Sequence, residues 1–188
     1  MTDDIVALDI ATVCGWARGG IDSIPRSGSV RFGGANASDN AVFAGALRWL
    51  SGFLEPLPRP GMLVIEALLP PTVRTKKGAT NRAVHERLAG LHGIARAVGH
   101  LRGIFRIELV TVSDARAHFI GDRTLTRNMA KQAVIERCRA LGWMEKDEHD
   151  DNAGDALALW SYGRALIKPE TALFVSPLFN KNLRVHPQ

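Results

Sequence analysis

The sequence predicts an α/β domain in which a five-stranded mixed sheet is flanked by helices. Three observations predict it. Two runs of four apolar residues, Ile5–Val6–Ala7–Leu8 and Met62–Leu63–Val64–Ile65, have the length and continuity of strands buried on both faces. Long stretches with helical spacing separate the strand-like runs, the clearest being Val84, Leu88, Leu91, Ile94, Val98 and Leu101. The elements follow in the order three strands, helix, strand, helix, strand, helix, helix, which is the order of a layered α/β fold.

The elements justify themselves in turn. Ile5–Leu8 leads into Asp9, and Thr12–Ala17 follows after a tight turn as a second strand. Gly19–Gly20 and Pro25 break the pattern before a third strand, Ser27–Phe32, so the first three strands form an antiparallel meander. Ser38 is placed as the N-cap of a helix running through Leu54, with Phe43, Ala46, Leu47, Leu50 and Leu54 on one face. Pro56, Pro58 and Pro60 stop that helix, and Met62–Ile65 then leads into Glu66. A polar, basic loop over residues 70–82 precedes the second helix, Ala83–Leu101. Phe105–Val110 reads as a fifth strand with Phe105, Ile107 and Leu109 on one face. A third helix is expected over Thr126–Leu141, punctuated by Gly142, and a fourth over Asp151–Ile167, ended by Pro169.

With 188 residues, 46% of them hydrophobic and 23% charged, the chain is long enough for one well-packed domain, expected over residues 1–168. Residues 169–188 have no clear period, and Phe174, Val175, Leu178 and Phe179 point to a tail that docks on that domain. No apolar run approaches membrane-spanning length, and a start carrying Asp3 and Asp4 does not look like a signal peptide, so no membrane association is expected. Cys14 and Cys138 are too few for a disulfide framework or a structural zinc site, and a reducing cytoplasm is the expected location. The net charge of +5 is unevenly placed. Residues 70–139 carry 14 Lys and Arg against 5 Asp and Glu, while each flank carries 5 against 7. A basic middle between acidic flanks suits a polyanion-binding surface beside an acidic site, and its plainer alternative is a solvated charged face.

Asp9 and Glu66 each end a buried strand, where a carboxylate is costly to desolvate unless it is paired or bound to a cation. Two of them close together would repel, and a divalent cation resolves the repulsion. A third acidic group opens the last helix in DNAGDALALW, residues 151–160, with Asp155 where that helix turns apolar. Asp150 and Asp151 also fit ordinary capping of the helix N-terminus.

LDIATVCGWA (residues 8–17), VIEALL (64–69), KQAV (131–134) and DNAGDALALW (151–160) together resemble the RuvC-type Holliday junction resolvases, above all their phage and prophage-like branch. That family belongs to the ribonuclease H-like superfamily, so the resemblance implies that fold over about residues 5–167. It implies a structure-specific endodeoxyribonuclease that cuts branched DNA by metal-dependent phosphodiester hydrolysis, acting as a homodimer. Asp9, Glu66 and Asp155 match the family's catalytic carboxylates and so imply metal ligands for two Mg²⁺ ions, with Mn²⁺ also suited to oxygen donors. Asn152 stands where the family has an acidic residue or histidine, and it offers a carbonyl oxygen without charge. Lys131 matches a lysine near the scissile phosphate. The segment after Glu66, with Arg74, Lys76, Lys77 and Arg82, matches the junction-contacting segment. The helix Ala83–Leu101 is the expected dimer face, because Ala89, Ala95 and Ala97 widen its apolar stripe.

Three other readings use the same residues. Asn152 also fits a ribonuclease H-like DNA-binding module whose site has lost activity. An actin- or sugar-kinase-like ATPase also begins with a strand ending in aspartate, but 188 residues and Cys14 at a turn position disfavour it, and no nucleotide cofactor is expected. A nuclease for other substrates, such as an RNA–DNA hybrid, would need the same carboxylates.

Overall fold

The computed structural model describes residues 3–55, 59–68 and 82–175. Five strands form one sheet: β1 (Asp4–Asp9), β2 (Val13–Gly20), β3 (Arg26–Arg31), β4 (Met62–Glu66) and β5 (Ile107–Val110). Their order is β3-β2-β1-β4-β5. β1, β2 and β3 pair antiparallel, whereas β1–β4 and β4–β5 pair parallel, so the sheet is mixed as expected. The two continuous apolar runs are its two central strands. Ile5, Val6, Ala7 and Leu8 are fully buried, as are Met62, Leu63, Val64 and Ile65. Each large aliphatic side chain taken out of water there contributes about 2 kcal/mol.

Strand alternation divides the core into two layers. Val6, Leu8, Leu63 and Ile65 pack against α1 (Asp39–Phe53) and α2 (Arg82–Leu101), through Val42, Ala46, Leu50, Leu91, Ala95 and Val98. Ile5, Ala7, Met62 and Val64 pack on the opposite face against α3 (Val112–Ile120), α4 (Arg127–Ala140) and α5 (Asp151–Ile167). Trp160 of α5 is fully buried and donates its indole N–H to the Gly19 carbonyl at 3.1 Å, which ties the helix to β2. The short helix α6 (Glu170–Val175) follows, with Thr171 buried and its hydroxyl donating to the Lys168 carbonyl.

Several expectations shift. Ser38 caps α1 as expected, accepting from the Ala41 amide, but Leu47 is half exposed and Val42 takes its place in the core. β5 begins at Ile107, and Phe105 lies exposed with its ring edge-on to His100. On an edge strand the apolar face is only partly covered, so alternation overstated the burial of Leu109. The helix α3 falls where the sequence analysis places no element. Residues 176–188, and with them most of the expected tail, lie outside the described residues.

Candidate active site

Alternation also aims the two strand-end carboxylates. Asp9 follows Ile5 and Ala7 on one face of β1, and Glu66 follows Met62 and Val64 on the same face of β4. Leu8 pairs with Ile65, so the parallel register sets Asp9 beside Glu66 at the carboxyl ends of neighbouring strands. That is where open α/β sheets place their ligands.

Asp155 and Arg116 reach the same place from the helices that cover this face. α5 starts at a firm cap, because the Asp150 carboxylate accepts from the amides of Asn152 and Ala153. One turn later Asp155 is buried, and both its oxygens are engaged by Arg116 of α3, from Nε at 2.7 Å and Nη2 at 2.6 Å. The two side chains are only 8% and 5% exposed, so this is a desolvated, bidentate ion pair.

The electrostatics show how closely the acidic groups meet. Burial above all, then a hydrogen bond with Glu66 and the negative charges of Glu66 and Asp155, push the Asp9 carboxyl up to about 9, with Arg116 pulling the other way. Asp9 therefore keeps its proton at neutral pH. Burial opposes the charge on Arg116, but the bonds and charge of Asp155, with Asp9 and Glu66 beyond, more than offset it. Burial, followed by the nearby Asp9, also raises the Cys14 thiol well above its ordinary value, so it stays a neutral packing group.

Asp9, Glu66, Asp155 and Arg116 line one cleft of about 320 Å³. Asp9, Glu66, Asn152, Asp155 and Lys131 all border it, so the structure brings together the five residues expected at the catalytic centre. Two crowded carboxyl groups are hard oxygen donors, and a hard divalent cation can take the place of the proton on Asp9. Asp9 and Glu66 thus fit such an ion, whereas Asp155 is already committed to Arg116. Among the described residues no group of three or more His, Cys, Asp or Glu side chains stands ready around one metal position.

The architecture matches solved structures closely in outline and hardly at all in sequence. A Thermus thermophilus RuvC structure superposes with a TM-score of 0.66 over 87% of this chain and 95% of that one, at 10% identity. The chain has the RuvC fold. A second match is T. thermophilus RuvC in complex with Holliday junction substrate, with a TM-score of 0.65 over 88% of this chain and 96% of that one, again at 10% identity. No family model matches the sequence, and no curated protein does.

Within the RuvC fold, the remaining candidates fall into three places. Lys131, on α4, donates to Asp151 at 3.1 Å on the rim of the cleft. Asp151 itself lines the adjoining groove rather than the cleft, so of these two neighbours it is Asn152 that borders the cleft of the acidic pair. Arg82 is exposed at the start of α2 and donates to Glu86 at 2.7 Å. Arg74, Lys76 and Lys77 lie outside the described residues.

The sequence reading missed Arg116, together with His85, His92 and Arg127 on the cleft wall. A signal for the helix that carries Arg116 was present. Thr111 caps α3 by accepting from the Asp114 amide, its hydroxyl donates to the Asp114 carboxylate, and Gly121 ends the helix at φ 82°. Threonine with an acidic residue three positions on, followed by glycine, marks a helix of this length.

Proposed function

We propose that this chain is a divalent-cation-dependent endonuclease acting on branched DNA, with Mg²⁺ as its cation and Mn²⁺ as a working substitute. The observation that carries the reading is the pair of carboxyl groups, Asp9 and Glu66, at the ends of adjacent parallel strands, in a cleft that also holds Asp155, Asn152 and Lys131. The class of substrate rests on the RuvC fold, since T. thermophilus RuvC is seen with a Holliday junction, and on the basic middle of the sequence.

Asp9 and Glu66 would hold the cation, which supplies Lewis-acid activation of water and neutralises charge on the phosphate. The chain's own groups do the rest. Asp9 gives up its proton when the cation binds. Lys131, released from Asp151, pairs with a phosphate of the bound strand. Arg127 lies exposed on the same wall, where a backbone phosphate can reach it. Arg74, Lys76, Lys77 and Arg82 extend the phosphate contacts beyond the cleft. A homodimer would present two such clefts to two strands. Two free, buried cysteines suit a reducing cytoplasm, and no helix among the described residues is long and apolar enough to cross a membrane.

The test compares a four-way junction, a fork, an RNA–DNA hybrid and linear duplex at one salt concentration with Mg²⁺. Junction or fork is cut fastest, and Asp9→Asn lowers cleavage by on the order of a hundredfold or more while binding persists. A specific observation favours a second reading, a DNA-binding module without catalysis: Asn152 is neutral and Asp155 is occupied by Arg116. Junction binding with no cleavage of any substrate in Mg²⁺ or Mn²⁺ would establish that module instead.

A further inference from the structure

We propose that Arg116 takes the place of a second divalent cation, so that this site binds one ion, held by Asp9 and Glu66, and not two. The inference rests on the nuclease reading above and narrows it. Three observations lead to it. Both oxygens of Asp155 accept from Arg116, and both side chains are more than nine-tenths buried. Asp9 and Glu66 stand at the ends of neighbouring parallel strands and border the same cleft, while the guanidinium is bound to Asp155. Asn152, which borders the same cleft, brings no charge.

Charge counting shows what the arrangement can hold. With Asp9 deprotonated by a bound cation, Asp9, Glu66 and Asp155 contribute three negative charges and Arg116 one positive. The remainder of two negative charges is balanced by one divalent ion. A second ion would leave two surplus positive charges beside a buried guanidinium, in a cleft whose wall already carries Arg127. It would also have to pull Asp155 away from Arg116, leaving a buried guanidinium without its counter-charge. Arg116 is thus a positioning residue: it holds Asp155 in place and supplies fixed positive charge beside the paired carboxyls.

The experiment counts Mn²⁺ bound per chain, without DNA, by calorimetry and by the electron paramagnetic resonance of free Mn²⁺. The wild type binds one ion, and Glu66→Gln binds none. Arg116→Met frees Asp155 and raises the count to two, with spin–spin broadening between the ions. Removing both buried charges in Arg116→Met/Asp155→Asn keeps the count at one with affinity within about threefold of wild type, and it decides the matter should the single variant fail to fold. Two ions in the wild type, or loss of the ion in the double variant, overturns the inference and leaves the nuclease reading standing. No bound ion together with cleavage in a chelator overturns both.

Discussion

Asp9 and His92 sit on the walls of one cleft and are pushed away from their ordinary protonation in opposite directions, both chiefly by burial. His92 is 6% exposed, and burial, aided by the charge of Arg96, lowers its imidazole to about 4. The folded state therefore holds it neutral where the unfolded chain, with a value of 6.5, begins to bind a proton. Its contribution is complete above that value and is lost as pH falls toward 4, to the extent of about 3 kcal/mol. Asp9 acts the other way, because it keeps its proton in the folded state and so lowers stability as pH rises through the range up to about 9. A comparison with His92→Gln separates the two. The wild-type advantage over the variant, from urea denaturation at a series of pH values, stays flat above pH 6.5 and shrinks by about 3 kcal/mol on going down to pH 4. Parallel stability curves would show that His92 is not desolvated as described.

At the scale of elements, the site depends on how closely α5 approaches β2. A Cβ on Gly15 would lie 2.0 Å from the Asn152 carbonyl oxygen, so the first turn of α5 rests directly on the strand at this point. Only glycine permits that approach, and the approach sets where Asp155 emerges one turn later. Gly15→Ala is expected to cost about 1–3 kcal/mol in urea denaturation and to reduce junction cleavage with it. Gly52→Ala is the control: its Cβ meets nothing within 4 Å, and it lies in helix α1, so it should be neutral or stabilising by up to about 1 kcal/mol. Equal stability of Gly15→Ala and wild type would show that α5 can move without harm.

At the scale of the molecule, α2 carries more apolar surface than its own core uses. Leu91, Ala95 and Val98 are buried against the sheet, whereas Val84 is 47% and Leu101 82% exposed, and Ala89 and Ala97 face outward. The stripe expected to serve both core and dimer divides in that way. If the outward part joins two copies, sedimentation equilibrium gives a dimer, and Val84→Asp with Leu101→Asp weakens it by about a hundredfold or more through two desolvated charges at the contact. A monomer at micromolar concentration in the wild type would remove the dimer from the proposal.

The sequence by itself determined the sheet, the helices with strong periodicity and the placement of Asp9, Glu66 and Asp155. Continuous apolar runs and 3.6-residue spacing are local patterns, and a charged residue at the end of such a run is conspicuous for the same reason. The tertiary structure alone decided what those carboxylates meet. Arg116 lies on a nine-residue helix of weak periodicity, and its ion pair with Asp155 spans 39 residues. No local pattern reports a contact that exists only because α3, following β5, packs beside α5 on one face of the sheet. The depth of burial that keeps the proton on Asp9 is decided in the same way, since desolvation depends on everything packed around a group and not on its neighbours in the chain.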